Sequence, residues 1–150
     1  VHIETYQASL DVCDRPAPMS VYEAKFSLHH CAAVALIDGN VGFDSFDEKA
    51  RQRLAALSSR TTVAVGEPFV SNYPATWGAR VTATLNGQTL SAERLSCKGD
   101  PECALTPEEM VAKAHRLLAY AGLDTRDAQS VIDSILAMTA DGPIPHLPLG

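Results

Sequence analysis

The sequence predicts an α+β fold: a small antiparallel or mixed sheet with helices packed against it, followed by a C-terminal αα-hairpin. Three observations lead there. Asn86-Gly87 stands between two alternating apolar and polar runs, the pattern of a β-hairpin closed by a two-residue turn. Ser20-x-x-Glu23 and Thr106-x-x-Glu109 each place a hydroxyl cap three residues before a carboxylate at the head of an apolar-periodic run, which marks a helix start. The elements follow the order β-α-α-β-β-β-α-α, which suits one sheet carrying helices better than repeated βαβ units.

Composition sets the outer limits. The chain has 150 residues, a net charge of −6 and 46% hydrophobic residues. A chain this long buries about 68–70% of the surface its unfolded form exposes, enough for a core without metal or disulfides. Obligate disorder is thereby excluded. The acidic balance and the absence of any Lys/Arg cluster argue against a nucleic-acid or anionic-membrane surface, because both need a basic footprint. No apolar run approaches the ~20 residues that span a bilayer. The opening Val1-His2-Ile3-Glu4 is patterned like a strand rather than a signal peptide, and reads as the interior of a longer gene product. Cys13, Cys31, Cys97 and Cys103 are irregularly spaced and read as reduced thiols of a cytoplasmic protein, with two disulfides as the alternative. No Cys-x2-Cys pair occurs and no metal site is expected.

Val1 to about Leu10 alternates weakly, with Ile3, Thr5 and Tyr6, and is predicted to be an edge or half-buried strand. Pro16 and Pro18 then force a loop. From Ser20 a single helix is predicted to run to Asp38, with Leu28, Cys31 and Ala35 in one apolar stripe, Phe26, Val34 and Ile37 in a second, and Gly39 as the left-handed cap. Phe43 and Phe46 anchor the next loop. A helix over Asp47–Ser58 places Ala50, Leu54 and Leu57 inward and Lys49, Arg51 and Arg53 outward.

Thr61–Val65 is β-branched enough to be a strand, and Gly66–Pro74 is predicted irregular. In the hairpin, Val81, Ala83, Leu85, Leu90 and Ala92 share one face, predicted to be core, while Thr82, Thr84, Thr89 and Ser91 share the other. The Thr106 helix carries Met110, Val111, Ala114, Leu117, Leu118 and Ala121 and ends at Gly122; Asp124 or Thr125 caps a last helix bearing Ala128, Val131, Ile132, Ile135 and Leu136. One α+β domain over residues 1–140 is expected, lid-like over 1–105 with helices over 106–140, and then an extended tail over 141–150.

Glu23-Ala24-Lys25-Phe26-Ser27-Leu28-His29-His30-Cys31 and Ala35-Leu36-Ile37-Asp38-Gly39 resemble a stretch of the MmgE/PrpD family, which includes 2-methylcitrate dehydratase and cis-aconitate decarboxylase. Three further pieces fall in family order: Tyr73-Pro74 with Gly78-Ala79 and a hairpin, Lys98-Gly99-Asp100-Pro101, and Leu105-Thr106 leading to Glu109 and Lys113. The resemblance covers nearly the whole chain. It implies most of the family's lid domain plus returning C-terminal helices, a C-terminal portion of a lyase or isomerase acting on a small polycarboxylate. The helical domain that completes the active site would lie outside this chain, along with the Lys-x-Tyr-Pro-like segment and histidine that open the family's lid. This polypeptide alone is therefore expected to be inactive. The family needs no metal or iron–sulfur cluster, so no cofactor is expected.

The resemblance also nominates residues. His30 occupies the position of a family tyrosine that faces the substrate pocket; an imidazole can donate to a carboxylate or relay a proton near neutral pH, but does not reproduce a phenol. His30 and His29 are thus the catalytic candidates, and Lys25, Ser27 and Tyr73 the substrate-binding ones. The plainer alternatives are that both histidines hydrogen-bond inside a buried helix, that Lys25 pairs with Glu23, that Ser27 back-bonds within its helix, and that Tyr73 and Trp77 are core aromatics. His115 and Arg116 lie on a polar helix side. The stripe Val131, Ile132, Ile135 and Leu136 predicts self-association, most simply a homodimer. A free-standing, non-enzymatic binding module derived from the same family is the competing reading.

Overall fold

The computed structural model describes residues 1–139 and Gly142, and the chain divides into two compact units, Val1–Glu102 and Cys103–Gly150. The fold is α+β as the sequence predicts, with a four-stranded mixed sheet and seven α-helices among the described residues. The tail expected over 141–150 lies, Gly142 apart, outside the described residues.

In the first unit, β1 (His2–Thr5) pairs in parallel with β2 (Thr62–Val65) on one side and antiparallel with β3 (Ala79–Leu85) on the other; β4 (Gln88–Arg94) pairs antiparallel with β3 as the edge. Ile3 is in register with Val63 and Val81, and Val81 with Ala92, so these four make an apolar row. The next row is charged. Arg80 donates to Glu4 at 2.9 Å and to Glu93 at 2.6 Å, bridging three strands, and those carboxylates, Glu4 foremost, hold its guanidinium above the ordinary arginine range.

Four predictions need correction here. The first strand stops at Thr5; Tyr6 caps a helix, α1 (Gln7–Cys13), in which Gln7 donates to Asp11 one turn later at 2.6 Å. Gln7, Ala8 and Leu10 favour helix over strand, and their weak alternation concealed it. The single helix from Ser20 is two, α2 (Val21–Lys25) and α3 (Leu28–Asp38), because Ser27 is extended and caps the second. That break resets the helical phase: His29, His30, Ala33 and Val34 are buried, whereas Leu36 and Ile37 face solvent. Gly66–Pro74 contains a short helix, α5 (Phe69–Asn72), and Phe69 is buried against the guanidinium of Arg80, 5.5 Å from its ring.

The fourth concerns the hairpin. It forms in the predicted register, Leu85 opposite Gln88, with Asn86 and Gly87 at φ 52° and 78°. Its apolar face is not core, since Leu85 and Leu90 are each 71% exposed. Alternation tells which residues share a face, not whether anything covers it.

The core of this unit instead lies where α3 meets α4 (Glu48–Ser58): Ala33, Val34 and Leu54 pack together, with Leu57 beside them. Asp47 caps α4 through the Ala50 amide at 2.7 Å. Outside the pair, Arg53 grips Asp38 with two bonds of 2.8 Å. In the second unit, α6 (Pro107–Tyr120) begins with the predicted reciprocal box, Thr106 accepting from the Glu109 amide and Glu109 from that of Thr106. α7 (Thr125–Leu136) is capped by Asp124, and His115 on α6 meets Gln129 on α7 at 2.8 Å. Val131 and Ile132 are buried; Ile135 and Leu136 are exposed. No helix among the described residues is long and apolar enough to cross a membrane.

Candidate functional site

The site is built where the proline loop after α1 meets the head of α3. Pro16 and Pro18 keep this segment out of helix and sheet, so other groups must hold it. Ser27 does so from within α3's cap: its hydroxyl donates to the Arg15 carbonyl at 2.6 Å and accepts the His30 amide at 3.0 Å. Glu23 binds the Met19 amide at 2.6 Å while Ser20 accepts the Glu23 amide, so the carboxylate of this capping box reaches one residue beyond the cap.

Both histidines lie in α3's first turn and both are buried. His29 donates from Nε2 to Asp14 at 2.7 Å, and its buried Nδ1 has no partner. Because a carboxylate oxygen only accepts, Nε2 carries the proton. His30 donates from Nε2 to the Ser45 carbonyl at 2.7 Å, in the 3-10 turn Phe43–Phe46, with the Phe46 ring 6.0 Å away. Arg51 on α4 donates to the next carbonyl, that of Phe46, also at 2.7 Å.

Between the Pro16–Met19 segment and α4 runs an open cleft of about 570 Å³, lined by His30 and, from α4, by Glu48, Arg51, Gln52 and Ser58 among others. Ser58 is buried and its hydroxyl has no partner. Of the sequence candidates, Ser27, His29 and His30 come together at this place. Lys25 is exposed at the end of α2, with no ion pair among the described residues, Glu23 being committed to Met19.

A family model for the MmgE/PrpD C-terminal domain matches residues 1–138. The chain belongs to the MmgE/PrpD family. No curated protein matches it.

Elsewhere in this MmgE/PrpD domain, Tyr73 stacks on Tyr6 at 4.6 Å with planes 10° apart, and Trp77 tilts against both. Tyr73 and Trp77 are 39% and 56% exposed, so they form a surface cluster and not a core anchor. Partial burial pushes the Tyr6 hydroxyl up from its ordinary range. The four cysteines are free, and burial raises the Cys31 thiol, with Cys13 adding to the effect. Among the described residues no three His, Cys, Asp or Glu side chains gather as metal ligands would.

Sequence reasoning missed Asp14, Arg51 and Ser58. Arg51 read as one more charge on the polar side of a surface helix, and nothing local distinguished it from Lys49 or Arg53. Its place on the cleft follows from the docking of a loop some thirty residues earlier in the chain.

Proposed function

We propose that this chain is the lid-like C-terminal part of an MmgE/PrpD-type lyase or isomerase acting on a small polycarboxylate, with His30 as the side chain it presents toward substrate. The observation carrying this reading is the family match over residues 1–138 together with His30 at the wall of the cleft between Pro16–Met19 and α4. His30 commits Nε2–H to a carbonyl, which leaves Nδ1 as the nitrogen for substrate. His29, tied to Asp14, acts as its support by fixing the loop that forms the opposite wall. Lys25, Ser27 and Tyr73 have unequal claims: exposed Lys25 is free to meet a carboxylate, Ser27 serves as a buried brace, and Tyr73 belongs to the separate aromatic cluster.

Loss of water or CO2 from a polycarboxylate needs an acid/base group near the reacting carbon and several groups holding the spectator carboxylates. This chain offers few cations at its cleft, so the remaining groups are assigned to the family's helical domain, and the chain alone is expected to be inactive. The free thiols fit a reducing compartment, which supports a cytoplasmic assignment. Exposed Ile135 and Leu136 support a homodimer, which sedimentation equilibrium would test.

Titration with citrate, 2-methylcitrate and cis-aconitate, against acetate as control, while histidine ring resonances are followed by NMR, tests the site. Selective movement of the His30 resonances by the tricarboxylates is the expected result. Their staying fixed at millimolar ligand overturns the assignment of His30.

A further inference from the structure

The cleft between Pro16–Met19 and α4 has a character of its own. Its loop wall is Pro16, Ala17, Pro18 and Met19, its helix wall includes Ala55 and Ala56, and among the described residues Arg51 is the one Lys or Arg on its lining. Arg51 spends one N–H on the Phe46 carbonyl and forms no ion pair among the described residues, so its remaining donors are uncommitted. Glu48 stands on the same wall, already accepting from Gln52 at 2.9 Å. Within this chain one free cation matches one carboxylate, and Glu48 beside it disfavours a second at this end of the cleft. A single carboxylate on an apolar tail matches the lining. Ser58 supplies the second, independent sign: a buried hydroxyl with no partner is costly, and a ligand oxygen reached by rotation of its side chain would relieve it.

We propose that this cleft binds a small monocarboxylate with an apolar tail, its carboxylate on Arg51 and Ser58 and its tail along Pro16, Pro18 and Met19. The site lies in the cleft that His30 borders and goes beyond the polycarboxylate reading, because the acid engages α4 and the proline loop rather than the ring of His30, and the two titrations report on different residues.

The test is a titration of the full chain with hexanoate and, separately, with hexanamide, its uncharged counterpart, following amide resonances by NMR. Hexanoate is expected to move Met19, Ala55, Ala56 and Ser58 and to saturate at millimolar concentration, while hexanamide binds about tenfold more weakly. Arg51→Gln, which keeps a donor for the Phe46 carbonyl, is expected to weaken hexanoate by about tenfold. Equal binding of the acid and the amide, or unchanged binding to Arg51→Gln, overturns the proposal. If that variant fails to fold, Ser58→Ala decides: it removes only an unpartnered hydroxyl, and weaker hexanoate binding supports the site where unchanged binding refutes it.

Discussion

His30 and Arg51, on different helices, hold consecutive carbonyls: Nε2 of His30 meets that of Ser45 and a guanidinium N–H of Arg51 meets that of Phe46, each at 2.7 Å. The 3-10 turn between α3 and α4 is thereby fixed from both sides, at the edge of the cleft the two residues share. His30→Ala leaves the Ser45 carbonyl unpaired and an imidazole-sized void. A loss of about 1–3 kcal/mol is expected in urea unfolding, with His30→Gln, which can restore a donor, losing less.

Ser27→Ala removes both the cap of α3 and the donor to the Arg15 carbonyl. The expected cost is about 1–3 kcal/mol, the sum of a lost cap and an unsatisfied acceptor. Limited proteolysis should show the Asp14–Met19 loop cut faster in this variant, whereas loss of a cap alone would leave that rate unchanged.

The His29–Asp14 pair predicts a contrast between two variants. Asp14→Asn keeps an acceptor for Nε2 and is expected to be nearly neutral. Asp14→Ala strips a buried imidazole of its partner, its Nδ1 having none already, and is expected to cost about 1–3 kcal/mol in the same unfolding measurement.

The Asp38–Arg53 clamp carries a pH signature. The hydrogen bond from Arg53 holds the Asp38 carboxyl below its ordinary range. A carboxylate with a depressed folded pKa contributes stability that is fully present above its unfolded pKa, near 4, and is lost as pH falls through the lower folded value. The stability difference between the wild-type chain and Arg53→Ala should therefore stay level from neutral pH down to about 5 and close below about 4. Its size is expected to be small and to shrink in high salt, since the pair is exposed. A difference that does not change on acidification would refute the clamp.

Gly78 predicts a steric effect. A Cβ there would lie 2.8 Å from the Arg94 carbonyl and 2.9 Å from both the Leu95 carbonyl and the buried Phe69 ring. Backbone oxygens cannot step aside as a side chain tip would, so Gly78→Ala is expected to lower stability by about 1–3 kcal/mol or more by thermal unfolding.

Much of this molecule is legible locally. The caps at Ser20, Asp47, Thr106 and Asp124, the Asn86-Gly87 turn and the hairpin register each depend on residues within a few positions of one another, and each forms as its chemistry requires. The family was legible too: short motifs in family order carry the resemblance, and the family model matches residues 1–138. Ser27 was the exception: one hydroxyl can bond back within a helix or cap a new one, and the Arg15 carbonyl, twelve residues away, selects the second.

What the sequence by itself determined is therefore the type and order of most elements, the faces shared along the hairpin, and the family. What only the tertiary structure decided is which faces are covered and which side chains meet. Leu85 and Leu90 alternate as core residues do yet lie on an uncovered sheet edge, while Arg51 and Ser58 look ordinary in α4 yet line a cleft. Burial and convergence are relations between segments far apart in the chain, and a periodicity of two or 3.6 residues carries information about one segment at a time.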